Sequence, residues 1–181
     1  RLGANSLLSA IYGGMVVGPN AVRYIKGLDK SSDAVSSNVF NSHVMEQQEK
    51  WNGIMNMNGT ENAYVLHKEL GEWMTDNMTV VRVNSKLEET YKKLTELQER
   101  WENININDTQ KWSNQGAHFT RQLKNMLYLA KVMTKGALLR NESRGAHYKP
   151  EFPERDDENF LKTTMAKFDP ATGEPIITYQ E

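Results

Sequence analysis

The sequence contains no cysteine, which excludes a disulfide scaffold, an iron–sulfur cluster held by the chain's own thiolates and a thiolate zinc site. Long hydrophobic runs are also missing. The apolar stretches near the N-terminus are interrupted by Gly13, Gly14 and Gly18, so none reaches the roughly 20 apolar residues that a membrane-spanning helix needs. Neither sign of charge dominates. A formal net charge of −1 with a pI near 6.5 leaves no basic face broad enough for non-specific nucleic-acid binding, and no nucleic-acid partner is expected. There is no G-x-G-x-x-G, no P-loop and no internal period of about 30 to 50 residues, so a complete dinucleotide site and a solenoid are both excluded. His43, His67, His118 and His147 are scattered with no i, i+4 pair, and no metal site is predicted.

What is present is helical. A chain of 181 residues can hold one good core with a small appendage, and 38% hydrophobic residues with a mean hydropathy of −0.69 favour a polar, soluble, helix-rich fold. Residues 6 to about 27 read as one or two short helices with Pro19 as a restart point, and the polar stretch 29–44 as a connector. A helix carrying Trp51, Ile54, Met55 and Met57 should end near Asn58-Gly59. Three longer helices follow. The first runs from Thr60 to about Val83 on the stripe Ala63, Leu66, Leu70, Trp73 and Met74. The second opens on a Ser85–Glu88 capping box and buries Leu87, Tyr91, Leu94, Leu97, Trp101 and Ile104, with acid–base pairs Glu88–Lys92, Glu89–Lys93 and Glu96–Arg100 outside. The third spans about Asp108 to Arg140, with Phe119, Leu123, Met126, Leu127, Ala130, Met133 and Ala137 inward. Trp73, Trp101 and Trp112 fit core positions. The fold class that follows is mainly α: an antiparallel three-helix bundle with an N-terminal helical strip. The turn Asp169-Pro170-Ala171-Thr172-Gly173 between two extended runs predicts a small C-terminal β-hairpin. The expected divisions are 1–28, 29–44, 45–140 and 141–181.

Chemistry is sparse. Asp156-Asp157 reads better as helix N-terminal acids before Phe160 and Leu161 than as a catalytic carboxylate pair, and His67 as a helix-rim residue rather than a ligand. The exception is the start, Arg1-Leu2-Gly3-Ala4-Asn5-Ser6-Leu7. A small-residue turn leads through Asn5 and Ser6, both good N-caps, into an apolar helix. Free backbone N–H groups and a positive dipole end then stand beside a guanidinium, an arrangement suited to an anion. Such a turn needs a partner before it, so the chain reads as a piece of a larger protein. Its unpartnered apolar face (Leu7, Leu8, Ile11, Met15) is expected to dock differently or pair with a second copy.

RLGANSLL at 1–8 and NESRGAHYKPEFPERDDENFLKTT at 141–164 resemble the flavoprotein subunit of succinate dehydrogenase and fumarate reductase. The resemblance extends through ENAYVLHKELGEWMTDNMTVVR (61–82), DTQKWSNQGAHFTRQL (108–123) and the hairpin, and is nearest the bacterial, Gram-positive, menaquinone-using type. L-aspartate oxidases share an Arg-Leu turn and a Ser-Arg-Gly segment, but the run from Arg155 to Leu161 favours the dicarboxylate dehydrogenases. The resemblance implies an oxidoreductase that moves hydride between succinate and the N5 of FAD and forms fumarate. Electrons then pass to an iron–sulfur subunit and to quinone at a membrane-anchor cytochrome b subunit, with the flavoprotein peripheral on the cytoplasmic side of the bacterial membrane. It also implies that Arg1 binds a substrate carboxylate and lies at the flavin, that Ser6 and Leu7 meet the flavin, and that residues 1–28 end the FAD-binding domain. The dinucleotide fold, the FAD-linking histidine and the proton-shuttling arginine of the family match nothing in this chain. The chain alone is therefore expected to be inactive and to bind no FAD. Two readings of Ser143–His147 stand together: Arg144 and His147 brace the helical domain against the flavin domain or iron–sulfur subunit, or they form a loop held by internal salt bridges to Asp156 or Asp157. The competing reading of the whole chain is a free-standing helical interaction module without redox activity.

Overall fold

A computed structural model of the chain describes residues 5–169 and 171–181. They form two units, Arg1–Glu49 and Lys50–Glu181. In the first unit, α1 (Asn5–Lys26) runs through Pro19 without a break, where the sequence predicts a restart. Proline removes one i→i−4 bond, that to the Met15 carbonyl, and the adjacent Asn20 side chain adds a bond in the same turn by donating Nδ2 to the Val16 carbonyl at 2.8 Å. None of the residues of α1 is buried. The expected connector 29–44 is partly helical: a 3-10 turn at Ser32–Ala34 is capped by Ser31, and α2 (Ser37–Met55) starts well before Val44. Met57 lies past its end.

The second unit is built on α3 (Ala63–Asn77), α4 (Asn84–Trp101) and α5 (Gln115–Leu139). Met78 at the end of α3 packs with Leu87 at the start of α4 and Ala137 at the end of α5, while the Trp101 indole N–H donates to the Thr120 carbonyl at 2.8 Å. Successive helices therefore run in opposite directions, as an up–down bundle with short links requires. Leu66, Leu87, Leu94, Leu97, Leu123 and Leu127 have no exposed surface, and each contributes about 1.5–3 kcal/mol of transfer free energy. Ile54 of α2 and Ile104 beyond α4 complete this core.

Helix boundaries depart from the sequence reading where side chains settle them. Asn62 and Asn114 accept from Tyr64 N at 2.9 Å and Ala117 N at 2.8 Å, so α3 and α5 start later than Thr60 and Asp108. The α3 helix stops at Asn77, the chain bends through residues 78–80, and Val81 then pairs with Tyr148. The predicted capping box at Ser85 is not formed. Val83 is the cap residue with no side-chain bond, and the Asn84 N–H instead meets the Glu151 carboxylate at 2.8 Å. Met126 and Met133, expected inside, are exposed, whereas Thr120, Lys131 and Thr134 are buried. Trp112 is 89% exposed on the loop before α5 rather than in the core. Lys93 and Arg100 reach across to α3 and the residues just before it: Lys93 meets Glu69 at 3.1 Å, and Arg100 forks to Glu61, ahead of the helix, and to Glu69 within it, each at 2.8 Å.

Two links cross as short bridges, Asn58 with Asn105 and Glu61 with Ile104. Gly59 lies so close that a Cβ there would sit 1.9 Å from the Asn103 carbonyl oxygen, so no larger residue fits. After the short α6 (Asp157–Phe160), β1 (Thr163–Phe168) and β2 (Pro175–Gln180) pair antiparallel, Thr163 opposite Gln180 and Phe168 opposite Pro175. The predicted hairpin is thus present. Its turn is fixed by Asp169, which accepts from Ala171 N and the Thr172 hydroxyl, and by Gly173 at φ +71. Lys131, buried on α5, pairs with Glu174 at 2.6 Å, and Tyr91 donates to the same carboxylate.

Candidate functional site

Arg1 lies outside the described residues. Ser6 and Leu7 stand on the first turn of α1, whose N-terminal end carries no acidic residue. The positive end of a helix dipole favours negative charge, and the first turn of α1 carries no acidic side chain. Arg144 and His147 belong to the other unit, so the two groups of predicted site residues are described separately.

Arg144 and His147 stand in a dense knot after α5. Glu142 is fully buried. Its carboxylate accepts from Arg140 Nε at 2.9 Å, from Arg144 Nε at 2.8 Å and Nη2 at 3.0 Å, and from the Asp156 amide at 3.0 Å. Burial opposes its ionisation, but Arg144, the Asp156 amide and Arg140 together outweigh burial and hold its pKa below 4.5. Arg144 also pairs with Asp157 at 2.6 Å. Asp157 opens α6 and Asp156 caps it, accepting from Asn159 N at 3.0 Å, the role the sequence assigns to these two acids.

The other half of the knot is cationic: among the described residues, the charges acting on the imidazole are those of Arg82, Lys149 and Arg140. His147 uses both ring nitrogens, Nε2 toward the Arg140 carbonyl at 2.9 Å and Nδ1 toward Arg82 Nη1 at 2.6 Å. Burial, with the charges of Arg82, Lys149 and Arg140, holds its pKa below 6.5 against the bond to Arg140. Arg82 donates Nε to the Thr79 carbonyl at 2.9 Å and Nη2 to Met78 at 3.3 Å, closing the C-terminal end of α3. Lys149, also fully buried, donates to the Leu138 carbonyl and to Asn141 Oδ1, both at 3.0 Å, closing α5. Glu151 closes the start of α4. Cations at two C-terminal ends and an acid at one N-terminal end match the helix dipoles. Of these residues the sequence reading singles out Arg144, His147, Asp156 and Asp157. Glu142 had a signal in its position between Arg140 and Arg144, but Arg82 and Lys149 had none, because their partners are backbone carbonyls.

Burial pushes the Lys149 ammonium down to about 8 from 10.5, with Arg82 adding to the shift and Glu151 opposing it. A lysine whose folded pKa is depressed binds its proton more tightly when unfolded, so it withholds stability below pH 8 and returns it as pH rises toward 10.5. Chemical denaturation of the chain and of Lys149→Met should therefore diverge between pH 8 and 10.5 in favour of the unsubstituted chain, by up to roughly 3 kcal/mol. A constant difference across that window would overturn the assignment.

Among the described residues no group of His, Cys, Asp and Glu could hold a metal ion, and no helix is long and apolar enough to cross a membrane.

A family model described as fumarate reductase flavoprotein C-term matches residues 67–181. The chain belongs to that family. A succinate dehydrogenase flavoprotein subunit of Bacillus subtilis is 65% identical over the whole chain, which covers 31% of that relative. An Escherichia coli quinol fumarate reductase structure superposes with a TM-score of 0.76 at 30% identity, over 88% of this chain and 26% of that one. A Mycobacterium smegmatis Sdh1 complex gives 0.79 at 26% identity, over 100% and 30%. The chain thus spans about a third of the length of the relatives it matches, and it is the C-terminal region of this flavoprotein family. The residues 141–164 that carried the resemblance contain Glu142, Arg144, His147, Asp156 and Asp157, and these, with Arg82 and Arg140, lie inside the matched region.

Proposed function

We propose that this chain is the C-terminal part of a succinate dehydrogenase flavoprotein subunit that oxidises succinate to fumarate. The observation that carries this reading is the 65% identity to the Bacillus subtilis subunit in an alignment that spans the whole chain, the N-terminal strip included. FAD, bound by the parent protein, supplies the two-electron acceptor. Arg1 binds and orients a substrate carboxylate through a charge-assisted fork. Ser6 and Leu7 set the positive end of α1 toward the electron-rich ring edge, and the absence of acids in that turn suits a site where negative charge accumulates. The parent works with an iron–sulfur subunit and a membrane-anchor cytochrome b subunit, as a peripheral subunit at the cytoplasmic face of the membrane. In the chain by itself, the exposed side chains of Leu7, Leu8, Ile11 and Met15 offer a self-association face.

The contacts of Arg144 with Asp157 and of His147 with Arg82 and the Arg140 carbonyl support the reading of a loop held from within; in the brace reading, the loop so shaped pins the helical domain to the flavin domain or the iron–sulfur subunit. The test is the parent subunit purified with its iron–sulfur partner. It should carry FAD and reduce a dye with succinate, and Arg144→Ala should lower FAD content or subunit recovery. A subunit that retains FAD but shows no succinate-dependent reduction would overturn the proposed activity. Unchanged FAD and assembly in Arg144→Ala would overturn the brace.

A further inference from the structure

His147 joins the ends of two bundle helices through contacts that fix its protonation. The Arg82 guanidinium can only donate, so the ring Nδ1 at 2.6 Å must accept; the Arg140 carbonyl can only accept, so Nε2 at 2.9 Å must donate. The neutral Nε2–H tautomer alone satisfies both. Arg82 in turn closes α3 through Met78 and Thr79, and its amide donates to the Tyr148 carbonyl at 2.9 Å while Tyr148 N donates to Val80 at 3.1 Å. One imidazole thus sits between the end of α3, the end of α5 and the 144–152 loop.

The charged groups facing it are of one sign. Arg82 comes from the α3–α4 link, Arg140 from the end of α5, and Lys149 from the loop itself. The nearby acids are committed elsewhere: Glu142 to Arg140 and Arg144, and Glu151 to the Asn84 amide. A second ring proton would place N–H against N–H at the Arg82 contact and add a cation to three others.

We propose that His147 is a proton-operated latch: neutral, it ties the 144–152 loop to the ends of α3 and α5; protonated, it loses Arg82 and frees the loop from the α3–α4 link. The release is local, because the Glu142 pairs and the Leu-rich core do not involve the ring. This latch is a property of the chain's own loop and stands whether or not the succinate reading holds.

The test is NMR on the full chain with labelled histidine, together with amide hydrogen exchange, from pH 7.5 to 4.5. At neutral pH, the His147 ring should show a protonated Nε2 and a bare Nδ1. As the ring titrates, the Arg82 and Tyr148 amides should lose protection about tenfold or more beyond the intrinsic pH effect, while the Leu127 amide holds. His147→Gln, which can still offer one donor and one acceptor, should keep neutral-pH protection and abolish the acid-linked loss. If that variant fails to fold, the unsubstituted chain still decides, through coincidence of the ring midpoint with the loss of protection. Protection at Arg82 and Tyr148 that persists through the ring's titration, or an acid-linked loss that survives in a folded His147→Gln, overturns the latch.

Discussion

Glu142→Ala will destabilise the chain by roughly 3–5 kcal/mol, the cost typical of removing one partner from a buried ion pair. The reason is the loss of a shared acceptor. One carboxylate with no exposed surface takes bonds from Arg140, Arg144 and the Asp156 amide; its removal leaves both Nε donors and that amide without their acceptor, although Arg144 keeps Asp157 and Arg140 keeps Thr164 and the Phe160 carbonyl. Arg140 side-chain exposure is 15% and Arg144 is 26%, so neither guanidinium can turn fully to water. A domain stability of about 5–15 kcal/mol makes this a large fraction of the total. Glu142→Gln keeps one acceptor oxygen and the shape but removes the charge, so it should fall between the two. Denaturant unfolding of the three proteins at pH 7 measures the series. A loss below about 1 kcal/mol for Glu142→Ala would mean that the knot adds nothing beyond surface pairing.

In the parent subunit, Arg1→Ala should lower kcat/KM for succinate by roughly thirty- to several-thousand-fold, since truncating one member of a desolvated charge pair costs about 2–5 kcal/mol. Arg1→Lys should recover only part of this, because an ammonium keeps the charge but not the planar two-pronged donor. FAD content should stay near normal in both, which separates substrate binding from cofactor retention. Succinate-driven dye reduction within about threefold of the unsubstituted enzyme would remove Arg1 from the pocket.

Much of this fold is legible in the sequence, and the failures have physical causes. The bundle and hairpin follow from leucine spacing and the Asp169–Gly173 turn. On α5, the expected stripe 119, 123, 126, 127, 130, 133 and 137 competes with 120, 123, 127, 130, 134 and 137. They share four positions, and hydrophobicity favours the first because it contains Met126 and Met133. The molecule uses the second, burying Thr120 and Thr134, where small side chains let the helices approach. Lys131 was invisible as a buried residue because Glu174, its partner, lies 43 positions away. Trp112 defeats any hydrophobicity rule: it projects from a loop pinned by Asn114, which holds the Asp108 and Gln110 carbonyls, and the next residue, Ser113, takes a left-handed φ of 55. The site was legible only through family resemblance, since dipole-matched cations on backbone carbonyls leave no motif.

The loop from Arg144 to Phe152 closes one end each of α3, α4 and α5 through Arg82 with His147, Glu151 and Lys149. It works as a keystone, because every one of its wedges bears on a different pillar. Shortening the chain to the three long helices would therefore open all three ends at a stroke, and the bundle is not a scaffold that can be borrowed without its tail.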